Sequence, residues 1–184
     1  MFLLALPASV GLIFLARPIV SLLFERGEFS ASVAQLTAWA LIWYAAGLVG
    51  HSIMEVLTRA FYAQQDTKSP VMIGAVAMGL NVLFSILFSS WFVQIGWLPL
   101  GGLALANSLA TALEAIALFL FMRRRLNGIE GKLLADGFVR CAVATLGMAI
   151  GLWFWTQATG GMNRWVVPLG GVGIGAAMYL IGVL

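Results

Sequence analysis

Residues 70–92, PVMIGAVAMGLNVLFSILFSSWF, contain no charged side chain. A helix needs about 20 apolar residues to cross the roughly 30 Å hydrocarbon core of a bilayer. Backbone N–H and C=O groups find no water at that depth, so only helices and closed barrels span membranes. Barrel strands are alternating segments of about 10 residues, which this run does not resemble. The stretch therefore predicts a membrane-spanning helix.

The rest of the chain repeats this pattern. Five such runs and a shorter sixth fill almost all of the 184 residues, with 62% hydrophobic and 9% charged residues. The mean hydropathy is +1.01, whereas soluble domains have about 25% charged residues. We expect an all-α fold, a polytopic membrane bundle of about six transmembrane helices. The predicted segments are about 1–24, 30–64, 70–92, 101–122, 137–157 and 164–184.

Helix boundaries have recognisable signals. Ser30 follows a polar turn and is typical of a helix N-cap. Pro70 suits the first turn of the third segment, whereas Pro18 removes a helical hydrogen bond and predicts a kink or a break in the first. The linker 126–136 is polar, and an interfacial helix is one interpretation of it.

The basic residues predict the orientation in the membrane. Two connections, between the second and third segments and between the fourth and fifth, carry Arg59, Lys68, Arg123, Arg124, Arg125, Lys132 and Arg140. The opposite side carries Arg26 and Arg164, with Arg17 near that end of the first segment. The positive-inside rule places the two basic connections in the cytoplasm. We interpret Arg123, Arg124 and Arg125 as a topology anchor that also attracts anionic lipid headgroups.

Four ionisable residues inside the apolar runs are candidates for a substrate cavity. His51, Glu55 and Arg59 lie at i, i+4 and i+8 of the second segment, hence along one line of a helix. Charged groups at membrane depth are costly and usually face a bundle interior or a wet cavity. Two alternatives remain open: a Glu55–Arg59 pair that only locks packing, or a stripe that meets polar substrate or relays protons. Glu114, within the fourth segment, is either a cavity residue or the partner of a base on another helix.

Asn81, Ser85 and Asn107 are neutral polar residues of the third and fourth segments. Their oxygens suit a monovalent cation, or they form an interhelical hydrogen bond. Small residues also recur at four-residue spacing, which lets helices approach closely. This pattern indicates either generic packing or a sliding surface, and it occurs at Ala75/Gly79, Ala104/Ser108/Ala112, Gly147/Gly151 and Gly171/Gly175.

The residue inventory disfavours several classes. The basic residues do not share a soluble face, so no nucleic-acid partner is expected. One cysteine, Cys141, and one histidine exclude an internal disulfide and a cysteine-based zinc site. Nucleotide loops, metal-binding clusters and nucleophile elbows are absent, so we expect neither an enzyme nor a cofactor. No basic n-region precedes the first run, and both ends of the sequence are apolar, so we expect a fragment of a larger membrane protein.

Two motifs resemble the MurJ/MviN family. Residues 17–29, RPIVSLLFERGEF, are similar to its signature P-I-V-x-L-L-F-E-R-G-x-F, and residues 58–71, TRAFYAQQDTKSPV, to R-A-F-Y-A-x-x-D-T-x-T-P-V. Ser69 stands where the family usually has Thr. Residues 101–110, GGLALANSLA, are similar to the helix start G-x-A-L-A-T-S-L-A.

The resemblance implies a fourteen-helix, two-lobed exporter of the multidrug/oligosaccharidyl-lipid/polysaccharide superfamily. Such proteins are taken to flip lipid II, an undecaprenyl pyrophosphate-linked peptidoglycan precursor, across the bacterial inner membrane by alternating access. Residues 1–125 would form four helices of the second lobe, and residues 126–184 a linker and two helices that line a groove for the lipid tail. Some members hold sodium between second-lobe helices, where Asn81, Ser85 and Asn107 are the nearest positions here.

Other interpretations remain open. A related exporter of polysaccharide-linked lipid or drugs would belong to the same transport class, and twelve rather than fourteen helices in the parent protein would favour a drug exporter. A different class is a scaffold that does not transport and recruits cell-wall synthesis proteins through its cytoplasmic loops. In every case the expected location is a bacterial inner membrane, with membrane lipids as neighbours.

Overall fold

Six α-helices follow one another in a computed structural model that describes residues 2–25, 30–125, 131–159 and 165–183. Each of the six is long and apolar enough to cross a membrane. Within those ranges every regular element is a helix, which confirms the predicted all-α class. The helices are α1 (Phe2–Phe24), α2 (Ala31–Ala63), α3 (Lys68–Ile95), α4 (Pro99–Arg125), α5 (Gly131–Ala158) and α6 (Val166–Val183).

Helix α1 runs unbroken through Pro7 and Pro18, so the expected break at Pro18 does not occur. Membrane helices tolerate proline where neighbouring groups satisfy the freed backbone. Leu15 and Ala16, one turn earlier, are almost completely buried. Contacts on two sides of α1, made by Leu15 and by Ala16, therefore support the helix next to the proline.

The other boundaries lie close to the predicted ones. Ser30 is the N-cap of α2, although its hydroxyl contacts Ser32 and makes no capping bond. Helix α3 places Pro70 in its first turn and ends before Gly96, whose φ of 80° favours glycine. Helix α5 begins at Gly131, so the end of the polar linker belongs to this helix. Residues 126–130 lie outside the described ranges.

The helices pack in a fixed order. Helix α4 lies between α2 and α3, while α1 packs against α2 on one side and against α5 and α6 on the other. Phe61, Leu118 and Met122 form the buried contact between α2 and α4. Helix α1 is therefore the element that joins the α2–α4 group to the α5–α6 pair.

The α3–α4 turn carries an aromatic cluster. Trp97 packs edge-to-face on Phe92 with 5.3 Å between ring centroids, and Trp39 of α2 joins them. Trp91 and Trp97 are exposed, as expected for indoles at a membrane–water boundary. The cluster marks the end of the bundle that the charge pattern places outside the cytoplasm.

Candidate functional site

A chain of polar side chains crosses three helices in the middle of the bundle. Ser85 donates to Asn81 Oδ1 at 3.1 Å, and Asn81 Nδ2 donates to Asn107 Oδ1 at 3.1 Å. Asn107 Nδ2 in turn lies 3.4 Å from His51 Nε2. Thr111 Oγ1 is also 3.4 Å from this nitrogen. The network thus joins α3 to α4 and α4 to α2 at membrane depth.

Sequence reasoning missed Thr111 as a member of this network. It lies one helical turn beyond Asn107, the same spacing that relates Asn81 to Ser85. That spacing places Asn107 and Thr111 on one face of α4 and was the available signal.

The interhelical hydrogen bond, one of the two alternatives for Asn81, Ser85 and Asn107, is present. Both asparagine side-chain oxygens already accept a bond within the network. None of the three residues is a carboxylate, and the described part of the chain contains no group of three or more His, Cys, Asp and Glu that could hold a metal. This donor set suits a hydrogen-bond network better than a sodium ion, and cation binding here stays a prediction.

The line of His51, Glu55 and Arg59 divides in the structure. Glu55 pairs with Arg59 on the outer surface of the described bundle, with side chains 59% and 72% exposed, while His51 is half-buried against α4. Residues four apart on a helix are offset by about 40°. Two such steps turn Arg59 away from the interface that His51 enters. The pair exists, but among the described residues it is exposed rather than buried.

Glu114 lies half-buried between α3 and α4, where it lines a cavity of about 330 Å³ with Met72, Leu80 and Phe121. A Cβ added to Gly74 would lie 3.1 Å from its Oε1, so the carboxyl group reaches the backbone of α3. Among the described residues Glu114 forms no ion pair. The basic partner that the sequence left open is not found in this part of the chain.

The three arginines that end α4 have different surroundings. Arg123 and Arg124 are exposed, as an anchor requires. Arg125 Nη2 lies 2.8 Å from Asp66 Oδ2, and its guanidinium carbon is 5.9 Å from the ring centroid of Phe61. Arg125 therefore ties the end of α4 to the α2–α3 connection, which places these two basic segments on the same side of the bundle, as predicted.

Asp66 also caps α3. Ser69 donates its hydroxyl to Oδ2 at 2.6 Å and its backbone N–H to Oδ1 at 3.0 Å. These two bonds, and then the charge of Arg125, hold the pKa of Asp66 below its ordinary value of 3.8. The carboxylate stays charged at any physiological pH and joins three helices at the end of the bundle that the basic residues predict to be cytoplasmic.

Replacing Asp66 with Asn should lower the apparent melting temperature of the full-length protein at pH 7 by a few degrees. The interactions that lower the pKa of Asp66 stabilise the folded state fully above pH 3.8, where the carboxyl group is charged even in the unfolded chain. This stabilisation is lost as the pH falls through the pKa of the folded state. The difference between wild type and Asp66→Asn should therefore narrow below pH 3.8. Thermal unfolding across pH measures this, with Arg124→Gln as the control. A pH-independent difference would contradict this role.

An apolar groove of about 560 Å³ runs between α1, α5 and α6. Its walls include Leu3, Ile19, Met148 and Ala176. Gly171 also lines it and lets Leu15 pack closely, since an added Cβ would lie 2.7 Å from Leu15 Cδ2. The family resemblance implied a groove lined by the last two helices, but it did not indicate the wall residues. A groove with these apolar walls can accept a hydrocarbon chain. The polar network lies elsewhere, between α2, α3 and α4.

A bundle of membrane-length helices with a polar network at mid-depth and an apolar lateral groove defines the class of protein: a polytopic membrane protein. A family model described as lipid II flippase MurJ matches residues 1–168. The chain belongs to the MurJ family.

Individual relatives agree. A probable lipid II flippase MurJ of Haemophilus influenzae is 28% identical over 99% of this chain, and the lipid II flippase MurJ of Burkholderia cenocepacia is 35% identical over 84%. A solved structure of a lipid II flippase MurJ in an inward closed conformation matches 98% of the chain with a TM-score of 0.80 and 25% identity. The chain spans 36%, 28% and 35% of the lengths of these three proteins.

Proposed function

We propose that this chain forms the last six helices of a lipid II flippase in a bacterial inner membrane. Helices α1–α4 would complete its second lobe, and α5 and α6 would add the groove. The groove between α1, α5 and α6 is the observation that carries the proposal. Family membership and six helices able to span a membrane support it.

The mechanism follows from the chemistry of a lipid-linked precursor. Its headgroup is too polar to cross hydrocarbon, and its isoprenoid tail is too long to leave it. A groove open to lipid keeps the tail in an apolar environment while the headgroup crosses through a hydrated cavity. Alternating access then requires the lobe to move as a unit, and the network from His51 to Ser85 holds α2, α3 and α4 together for this motion. This activity is transport rather than catalysis.

The side chains of Glu55 and Arg59 are the proposed contribution of α2 to the hydrated cavity. Both are charged, paired and exposed on the described bundle, although they lie within a membrane-length helix. Lipid would not solvate such a pair, so a wet cavity or another part of the parent protein should cover it. Its charges would then meet the polar headgroup.

Full-length protein carrying Glu55→Ala should lose most of its ability to restore lipid II exposure and growth in flippase-depleted cells. Removing the carboxylate leaves Arg59 without its partner and changes the charge of the cavity. Gln35→Ala, an exposed polar substitution on the same helix, is the matched control. Normal growth and normal lipid II exposure with Glu55→Ala would remove Glu55 from the mechanism.

The double substitution Glu55→Arg with Arg59→Glu separates two roles. It restores an ion pair but exchanges the positions of the charges. A cavity role predicts that it stays inactive, whereas full rescue would show that the pair only stabilises the helix.

A further inference from the structure

The cavity between α3 and α4 contains one charged residue, Glu114, among the residues that line it. It has a volume of about 330 Å³ and follows α3 from Ser69 to Leu80, which is about 16 Å along the helix axis. Ser69 lies at the end of the bundle that the basic residues predict to be cytoplasmic. The cavity therefore extends from that end towards the middle of the membrane, and we call it the α3–α4 cleft. Its other walls are apolar and comprise Met72, Ile73, Val76, Ala77, Leu113, Ala117 and Phe121.

The carboxyl group of Glu114 forms no ion pair and no side-chain hydrogen bond with any residue in the ranges 2–25, 30–125, 131–159 and 165–183. The hydroxyl of Ser69 is not available to it, because this hydroxyl already donates to Asp66. His51 contacts other side chains of α4. A charged group at membrane depth is costly unless a partner compensates its charge. The α3–α4 cleft therefore lacks a positive group that would balance Glu114.

The lining residues determine which kind of cation fits. Calcium takes about six to eight oxygen ligands, whereas the cleft offers one free carboxyl group. An organic ammonium ion needs only one counter-ion, together with an apolar surface for its carbon skeleton. Phe121 supplies an aromatic ring, which attracts such cations, and Met72 supplies a flexible side chain that adapts to different shapes. The cleft therefore suits an organic cation better than a metal ion.

The size and accessibility of the cleft also suit a small ligand. Pockets for small organic molecules have volumes of about 300–1,000 Å³, and the cleft lies at the lower end of this range. Met72, Val76, Leu113 and Phe121 are exposed on the described bundle, so the cleft is open on one side. A ligand with a single aromatic ring can enter from that side.

We propose that the α3–α4 cleft binds a small hydrophobic organic cation, with Glu114 as its counter-ion and the apolar walls around its carbon skeleton. This site goes beyond the proposed transport of lipid II and does not depend on it. A cleft with one carboxyl group and no basic residue in its walls would repel a phosphate.

The test uses the full-length protein in detergent and two probes of the same shape, phenyltrimethylammonium and the uncharged tert-butylbenzene. The wild type should bind both probes. Glu114→Gln should weaken binding of phenyltrimethylammonium at least about tenfold, because it removes the opposite charge from a site that water screens poorly. It should leave binding of tert-butylbenzene unchanged, which shows that the cleft is intact. Ligand-observed NMR measures both affinities.

Two further variants serve as controls. Ala117→Phe places a ring inside the cleft and should abolish binding of both probes. Asp136→Asn also removes a carboxyl group, but it lies on α5, which contacts neither α3 nor α4. This variant should bind both probes as the wild type does. Thermal unfolding of each variant checks that the protein is folded.

Four results would overturn the site. A wild type that does not bind phenyltrimethylammonium would show that the cleft takes no such cation. Equal affinity of Glu114→Gln for this probe would show that Glu114 is not the counter-ion, and unchanged binding by Ala117→Phe would place the probe elsewhere. A photo-crosslinking residue, p-benzoylphenylalanine in place of Val76, should form adducts with lipid in membranes. Adducts with another segment of the full-length protein would instead show that the protein itself fills the cleft.

Discussion

Full-length protein carrying Ala176→Phe should expose lipid II at less than about a tenth of the wild-type rate, a loss of about 1.4 kcal/mol in transition-state stabilisation. Ala176 lines the groove between α1 and α6, and its side chain is exposed to that space. A benzyl group there would occupy the path of a lipid tail. The headgroup could not cross while its tail is excluded from the groove.

Ala177→Phe is the matched control. Ala177 is also exposed on α6, but it is absent from the groove wall. The two variants add the same group to neighbouring positions, so general effects of size and hydrophobicity on insertion are equal. Membrane abundance and thermal stability should match the wild type in both. Wild-type lipid II exposure with Ala176→Phe would show that the groove does not carry the tail.

Gly102→Ala should destabilise the full-length protein by about 1–3 kcal/mol, the usual cost of overpacking. Gly102 is buried where α4 meets α3. An added Cβ would lie 2.7 Å from the carbonyl carbon and oxygen of Phe88 and 2.8 Å from the backbone nitrogen of Ser89. The obstacle is backbone, which cannot turn aside as a flexible side chain can, so the two helices would have to separate.

Gly79→Ala, by contrast, should stabilise the full-length protein. A Cβ at Gly79 would meet nothing within 4 Å, and alanine is the better helix former by about 0.5–1 kcal/mol. Thermal unfolding of the two variants in one detergent provides the comparison. Equal effects of the two substitutions would contradict close backbone packing at Gly102.

The sequence predicted the helices because their signals are local. The uncharged run 70–92 lies within α3, and Ser30 and Gln64 flank α2 as expected. Of the two alternatives at Pro18, a kink or a break, the break does not occur, because α1 stays helical through the proline with Leu15 and Ala16 buried beside it. Local chemistry sets the boundaries, but neighbouring helices decide whether a proline ends a membrane helix.

The candidate site was predicted in part. Asn81, Ser85 and Asn107 do come together, and His51 joins them through α4. The sequence could not show that Glu55 and Arg59 turn away from the contact between α2 and α4. Residues four apart on a helix are offset by about 40°, and the effect of that offset depends on where the neighbouring helix lies.

The small-residue pattern shows the same limit. Ser108 is buried at a close approach to Gly47, and Gly171 and Gly175 pack against neighbouring helices, whereas Gly79 and Gly147 face open space. Small residues permit close packing, but the spacing alone does not show which pairs use it.

The sequence by itself determined that this protein is a bundle of six bilayer-length helices with basic connections on one side. The hydrophobic length of a segment and the charge of a connection are sums over neighbouring residues, so they can be read without knowing the fold. Only the tertiary structure decided which faces meet, where the apolar groove opens and which polar groups find partners. A helix that is apolar all round gives no sign of its buried face, because lipid tails solvate a leucine as well as another helix does.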